Sequence, residues 1–391
     1  MLVDASTAHP GGGLSYLAAQ LPRLERHGVQ LLVVAPEKVV DALEAVVPAA
    51  EFRRLRGRSV CRAVEARVRL PLLARRWRAD VVYCPGSTSP ALTGAPRVLL
   101  IQNPHLFTDP APRNTRLSIL RILCWLSAWS ATRVVHISHA MAAQFELTTA
   151  LRCPTSVAWS GPGALAATGS VATAAQPRPP YLLTVGDLYW YKRTDLLIAA
   201  YACDPELRDR YEVVIAGADY LAEGGRLRAL VAAEGLSARV HFLGFVAGPD
   251  LSTLYAGAAA YVSLSEREAF PLTPAEALSL GAPVVLSDTP FFRELYGPWA
   301  TFVAGREPAA IAQAIAQAIA SGAESGAEAA SIEDVRARFS WDRNAELVVS
   351  ELRRAAAAGV PTFRERLARV QPTELTALVR TIAGDAATRV V

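Results

Sequence analysis

Two carboxylates, Glu268 and Glu276, stand with seven residues between them in the segment 261–288. Paired acids of this kind suit gripping hydroxyls, those of a ribose by one and those of a sugar by the other. The β-branched and aromatic run 261–264 reads as a buried parallel strand ending in an acidic loop. Pro274 then opens a helix with Glu276 in its first turn, because proline's fixed φ is helical and its missing N–H has no partner there. Gly281 stops that helix, and Pro283-Val284-Val285-Leu286 starts the next strand. Glu268 is therefore expected on a loop at the carboxyl end of a strand and Glu276 at the mouth of a helix, where open α/β sheets bind ligands. The N–H groups around Leu272, Thr273 and Ala275 offer a cradle for a diphosphate.

Such a site needs a doubly wound sheet to hold it. Short apolar runs at 31–35, 81–84, 98–101, 134–137, 181–185, 213–216, 240–243, 260–264 and 284–286 alternate with helical stretches. That alternation implies parallel sheets covered on both faces. A chain of 391 residues exceeds one ordinary core and suggests two domains. Hydrophobic content of 52% with 19% charged residues describes a globular chain and excludes a disordered one. The stretch 159–180, rich in Gly, Ala, Thr, Ser and Pro, reads as an interdomain linker. Helices are expected at 344–358 and 362–370, and the Ala-rich stretch 309–330 is expected as helix and loop surface. Five scattered cysteines without a Cys-x-x-Cys pair argue for free thiols in a reducing cytoplasm and against a zinc site. No apolar run approaches the roughly 20 residues of a membrane span, and no secretory signal is expected.

The Glu-x7-Glu pair in its strand-loop-helix-Gly-x-Pro-Val-Val frame, with Phe270 two residues after Glu268, resembles the signature of the retaining GT-B glycosyltransferases of the large family 4 type, the glycosyl transferases group 1. The resemblance implies an α/β fold of two doubly wound Rossmann-like domains facing across a cleft. The expected layout is an acceptor-side domain at 1–165, a linker at 166–180, a nucleotide-sugar domain at 181–345 and terminal helices at 346–391 packing back on the first domain. Tyr181 to Ile198 resembles the family's strand-Gly-loop-Lys-helix element, in which Gly186 allows a close turn and Lys192 and Arg193 hold the donor diphosphate. The arginine common just after that glycine is Asp187 here, and Ala269 and Pro271 replace usual glycines of the signature.

Other segments match by position. Gly11-Gly12-Gly13 follows the first strand and opens a helix, a shape that accepts anions, with Gly12 and Gly13 expected near the donor phosphates. Gln102-Asn103 and His105 follow another strand, at the place where many relatives carry a histidine near the reacting sugar; Asn103 and His105 are the candidates. Ser138 and His139 either face the cleft or cap a helix. Gly244 and Phe245 are expected beside the nucleotide base, and Phe270, Leu272 and Thr273 beside the donor.

The reaction implied is transfer of a sugar, most often a hexose, from a UDP- or GDP-sugar to a saccharide or lipid-linked hydroxyl acceptor in cell-surface polysaccharide, lipopolysaccharide or glycolipid assembly. Anomeric configuration is retained. No Asp-x-Asp motif is found, so a metal-independent reaction without a cofactor is expected, its leaving diphosphate stabilised electrostatically. Two other readings of the same residues stay open: a weakened GT-B protein that binds a nucleotide sugar or a protein partner without transfer, and a nucleotide-sugar epimerase related in fold alone. From Arg53 to Arg78 ten arginines accompany one acid, Glu65. That stretch could dock on an anionic membrane surface, with the apolar stretch 117–129 adding contact. The chain is then expected in the cytoplasm or on the inner face of the cytoplasmic membrane. No aromatic-basic module for nucleic acid accompanies the charge.

Overall fold

Buried runs of Val, Leu and Ile form the strands, because a strand covered on both faces excludes polar side chains. The computed structural model describes residues 1–8, 12–56, 59–91, 93–103, 115–161, 180–219, 222–246, 248–268, 270–325 and 329–370. The expected linker falls almost entirely outside them, as does His105. The chain divides into two units, one built from residues 1–160 and the described residues from Trp341 onward, the other from Gly161 to Ser340.

In the first unit the strands are β1 (Leu2–Asp4), β2 (Leu32–Pro36), β3 (Glu51–Leu55), β4 (Val82–Cys84), β5 (Arg97–Ile101), β6 (Arg133–His136) and β7 (Thr155–Val157), all parallel in the order β3-β2-β1-β4-β5-β6-β7. In the second they are β8 (Tyr181–Val185), β9 (Glu212–Ala216), β10 (Val240–Gly244), β11 (Ala258–Ser263), β12 (Val284–Ser287) and β13 (Thr301–Val303), again parallel, in the order β10-β9-β8-β11-β12-β13. Both sheets reverse direction of winding beside their first strand, between β1 and β4 and between β8 and β11. Ligands of doubly wound sheets bind at the carboxyl ends of such strand pairs.

Three strands escaped the sequence reading. β7 and β13 are short, and β3 carries Arg53 and Arg54 on an exposed edge, where charge deters pairing with another chain. Arg54 pairs with Asp41 and with Glu44 at 2.8 Å, and Arg53 pairs with Glu51 at 3.5 Å. The arginine run is thus partly neutralised by acids that lie outside it in sequence. The Ala-rich stretch is a second correction. The helix Pro308–Ser325 buries Ile311, Ala312, Ile315 and Ala318 against the second sheet's core, so one face of it is interior.

The helix expected at 344–358 starts earlier and runs Trp341–Ala358, within the first unit. Asn344 Nδ2 donates to the carbonyls of Ala158 and Trp159 at 3.2 and 2.8 Å, and Trp341 meets Tyr16 edge-on at 5.4 Å. Those contacts draw residues 341–345 out of the second domain in which the sequence reading put them. Among the described residues no helix is long and apolar enough to cross a membrane.

His136 ends β6 fully buried, its ring 5.1 Å from that of Phe145 and both ring nitrogens lacking a hydrogen-bond partner. Burial pushes its pKa from 6.5 down to about 4. The unfolded chain therefore binds more protons in that window, and stability falls as pH drops from about 6.5 towards 4. Between about pH 7.5 and pH 5 the loss from this group should be about 2 kcal/mol. Urea unfolding at both pH values should show that His136→Leu removes that part of the acid sensitivity; an unchanged pH dependence would contradict the assignment.

Candidate active site

The second sheet's reversal brings the loop after β8 beside the loop after β11. Gly186 follows β8 with φ +144°, a conformation that side chains rarely adopt. A Cβ there would lie 3.5 Å from Lys192 Nζ, so the lysine side chain folds across the bare glycine. A short turn, Trp190–Lys192, aims it, and Arg193 takes left-handed geometry (φ +53°) to enter the helix Thr194–Cys203. Lys192 Nζ ends 2.5 Å from Glu268 Oε1, with neither side chain more than about a quarter exposed. The cation and the carboxylate of the two motifs, 76 residues apart in sequence, thus meet at the switch point.

The two loops are also stitched along their backbones. Glu266 N–H donates to the Tyr191 carbonyl at 2.9 Å, and a side chain from the end of β12 braces the second loop, Ser287 Oγ donating to the Ser265 carbonyl at 2.7 Å. Arg193 joins this stitching. Its guanidinium bonds both Asp195 oxygens at 3.1 Å and Glu266 at 2.6 Å, and Arg306 reaches the same Glu266 oxygen at 2.6 Å. Arg193 was expected beside Lys192 on the diphosphate. Three carboxylate oxygens already occupy its fork, so it orders the loop instead.

Glu276 lies in the helix Thr273–Ser279 and is 8% exposed. The buried Tyr255 hydroxyl donates to its Oε2 at 2.8 Å. Burial and the nearby Glu276 carboxylate push the Tyr255 phenol well above its usual range, which keeps it a neutral donor. Two more buried tyrosines hold the same segment: the Tyr261 hydroxyl bonds Thr273 Oγ1 at 2.7 Å, and the Tyr296 hydroxyl donates to the Pro271 carbonyl. Phe270 packs edge-on against Phe339 at 5.8 Å, anchoring the loop to the aromatic cluster of Phe339, Tyr296 and Trp299. Leu272 precedes the helix without a side-chain cap. The helix has seven residues, so its dipole is weaker than a long helix would supply. None of the three tyrosines stood out in the sequence, since no spacing relates them to the glutamates.

A further missed residue is Gly217, just past β9. A Cβ on it would fall 1.9 Å from the Gly186 carbonyl oxygen, closer than any real contact. Its N–H donates to the Gly244 carbonyl at 2.8 Å, and Gly186 N–H donates to Ala216. Three strand ends therefore close into one edge through Gly186, Gly217 and Gly244. Phe245 follows as a ring 75% exposed at the end of β10, two strands or roughly 10 Å from β8.

In the first unit, Gly12 and Gly13 open the helix Gly12–Arg26 after β1, and nothing lies within 4 Å of where a Gly12 Cβ would sit. Asn103 is exposed just past β5, while Gln102 Nε2 donates to the Pro85 carbonyl at 3.0 Å and braces the neighbouring turn. Ser138 accepts from Met141 N–H at 3.1 Å and is a buried helix cap. Among the described residues no group of three or more His, Cys, Asp or Glu could hold a metal ion.

The chain is similar to known proteins by sequence and by fold. Residues 170–333 match the family described as glycosyl transferases group 1. The lipopolysaccharide core biosynthesis mannosyltransferase LpcC of Rhizobium leguminosarum bv. viciae is 33% identical over 189 residues, which are 47% of this chain and 53% of that protein. The chain thus spans about half the length of that relative. Sucrose-phosphate synthase from Thermosynechococcus elongatus superposes with a TM-score of 0.71 at 19% identity, over 91% of this chain and 98% of that one. Anabaena HepE in complex with UDP also gives 0.71 at 19%, over 90% and 99%. The fold is GT-B, and residues 170–333 belong to the glycosyl transferases group 1 family.

Proposed function

We propose that this chain is a retaining, metal-independent glycosyltransferase that moves a hexose from a UDP- or GDP-sugar to a hydroxyl of a saccharide or lipid-linked saccharide in cell-surface glycan assembly. The observation that carries this reading is the Lys192–Glu268 pair at the switch point of the second sheet. Lys192 is the point charge for the departing diphosphate, and the amides at Leu272 and Thr273 are the further donors of this reading. Glu268 orients the transferred sugar and stabilises oxocarbenium-like charge, and Glu276, fixed by Tyr255, receives the ribose hydroxyls. The acceptor attacks on the face the phosphate leaves, and the phosphate takes its proton. A double displacement with Glu268 as nucleophile fits less well, because an ion-paired carboxylate attacks poorly. The relative from Rhizobium, a mannosyltransferase of lipopolysaccharide core biosynthesis, and the UDP held by HepE support the donor and pathway classes. A place on the inner face of the cytoplasmic membrane follows from a lipid-linked acceptor.

A second reading, binding without transfer, draws on Asp187 where an arginine would face the phosphate and on Pro271, which lacks an amide donor. Thermal unfolding in EDTA with UDP, GDP and their sugars tests the donor site on wild type and Glu276→Gln. The glutamine keeps an acceptor for Tyr255 and removes the charge. A nucleotide at about a hundred times its dissociation constant should add about 2.7 kcal/mol to wild type and much less to the variant. No protection of wild type by any nucleotide would sink the transferase reading and leave binding of a protein partner without transfer.

A further inference from the structure

At the amino edge of the first unit's sheet, where β5 and β6 begin, several arginines converge. A cavity of about 220 Å³ there is lined by Arg75, Arg97, Ser130, Thr132 and Arg366, and no acid lines it among the described residues. Arg97 is 3% exposed. Its Nη1 donates to Ser89 Oγ at 3.1 Å and to the Pro90 carbonyl, while its buried Nη2 has no hydrogen-bond partner. Arg75 lies across Gly94, where a Cβ would come within 3.0 Å of its Nε. Arg366 is held by Nε donating to the Pro361 carbonyl at 3.0 Å and by lying over the Trp129 ring at 5.7 Å. Burial pushes the Arg97 guanidinium down to about 10, with Arg366 and Arg369 pushing the same way and Cys84 and Asp4 opposing. Like charges gathered around one buried, unpaired donor are costly unless an anion joins them.

We propose that this cavity binds a phosphate group, taken by Arg97 Nη2 together with the forks of Arg75 and Arg366. The volume falls below the roughly 300 Å³ of drug-sized pockets, so it suits a phosphate head and not a whole nucleotide. Guanidinium forks match phosphate oxygens in geometry as well as charge. The phosphate belongs either to a lipid headgroup or to a free phosphorylated solute. Beside the cavity, Phe363 and Leu367 are exposed one turn apart, and Phe363 meets Trp129 at 6.3 Å. Ile119, Ile122 and Leu126 are exposed on the helix that carries Trp129, at spacings that share its face. Those side chains would enter the acyl boundary of a bilayer if the source is a lipid.

The test uses the full chain, titrated calorimetrically with inorganic phosphate at fixed ionic strength, and floated with vesicles of phosphatidylcholine alone or mixed with phosphatidylglycerol. Arg75→Gln and Arg366→Gln change side chains that are not buried, so both variants should fold, and Lys192→Ala serves as a control for the donor site. Saturable phosphate binding is expected in wild type and Lys192→Ala, weakened at least about ten-fold in either arginine variant. Phosphatidylglycerol-dependent flotation lost in the same variants identifies a lipid headgroup. Phosphate binding without flotation identifies a free solute. Binding of neither probe, or binding that the arginine variants leave unchanged, overturns the proposal. Because the donor-site readout is nucleotide protection, failure here leaves the transferase reading intact, and the reverse also holds.

Discussion

Lys192→Ala is expected to lower kcat for sugar transfer by about 10² to 10³, the usual effect of removing one preorganised donor from developing negative charge. Its position supports the size of the effect. The ammonium sits over Gly186 and 2.5 Å from Glu268, at the junction of the two loops. Losing it leaves the Glu268 carboxylate without this partner and, on the proposed mechanism, removes the cation for the departing diphosphate. Glu268→Gln should cost about as much, and the double variant should cost less than the product of the two, because contacting residues act as a unit. Release of nucleoside diphosphate, followed against donor concentration, reads all three. Activity of Lys192→Ala within about two-fold of wild type would remove the lysine from the mechanism.

Gly217→Ala is expected to destabilise the chain by about 3 kcal/mol and to abolish transfer, although Gly217 carries no side chain and belongs to neither motif. Overpacking normally costs about 1–3 kcal/mol. This site stands at the upper end because the new Cβ meets backbone, the Gly186 carbonyl, at 1.9 Å. Neither strand end can yield without moving the other, and Gly186 takes Lys192 with it. Gly225→Ala is the internal control: nothing lies within 4 Å of its Cβ, and it sits in the helix Glu223–Ala233. It should gain about 0.5–1 kcal/mol from helix propensity. Urea unfolding of the pair, with activity alongside, separates a local clash from a general intolerance of alanine.

The contrast between these two residues shows which parts of the site could be read from sequence. Glu268, Glu276, Gly186 and Lys192 announce themselves because each lies within a few residues of its own strand, turn and helix signals. Gly217, Tyr255, Tyr261 and Tyr296 do not, since their roles depend on which strand ends become neighbours. That order is set by long-range pairing, which no local pattern encodes. Arg193 went to the wrong partner for the same reason: Glu266 approaches it from 73 residues away. Edge strand β3 was lost within the arginine run because edge strands tolerate charge, so alternation failed as a signal. A linear count of that run also missed Asp41 and Glu44 on the preceding helix Glu37–Glu44. In the helix Pro308–Ser325, alanines on every face concealed which side is buried.

The most direct test of the central claim is turnover of UDP- and GDP-hexoses in EDTA with a panel of saccharide and lipid-linked acceptors, following diphosphate release and the anomeric configuration of the product by NMR. Release is expected from one donor type, coupled to a product that keeps the donor's configuration, with loss of both in Lys192→Ala. Nucleotide binding without release for any donor and acceptor, or a product of inverted configuration, would contradict it.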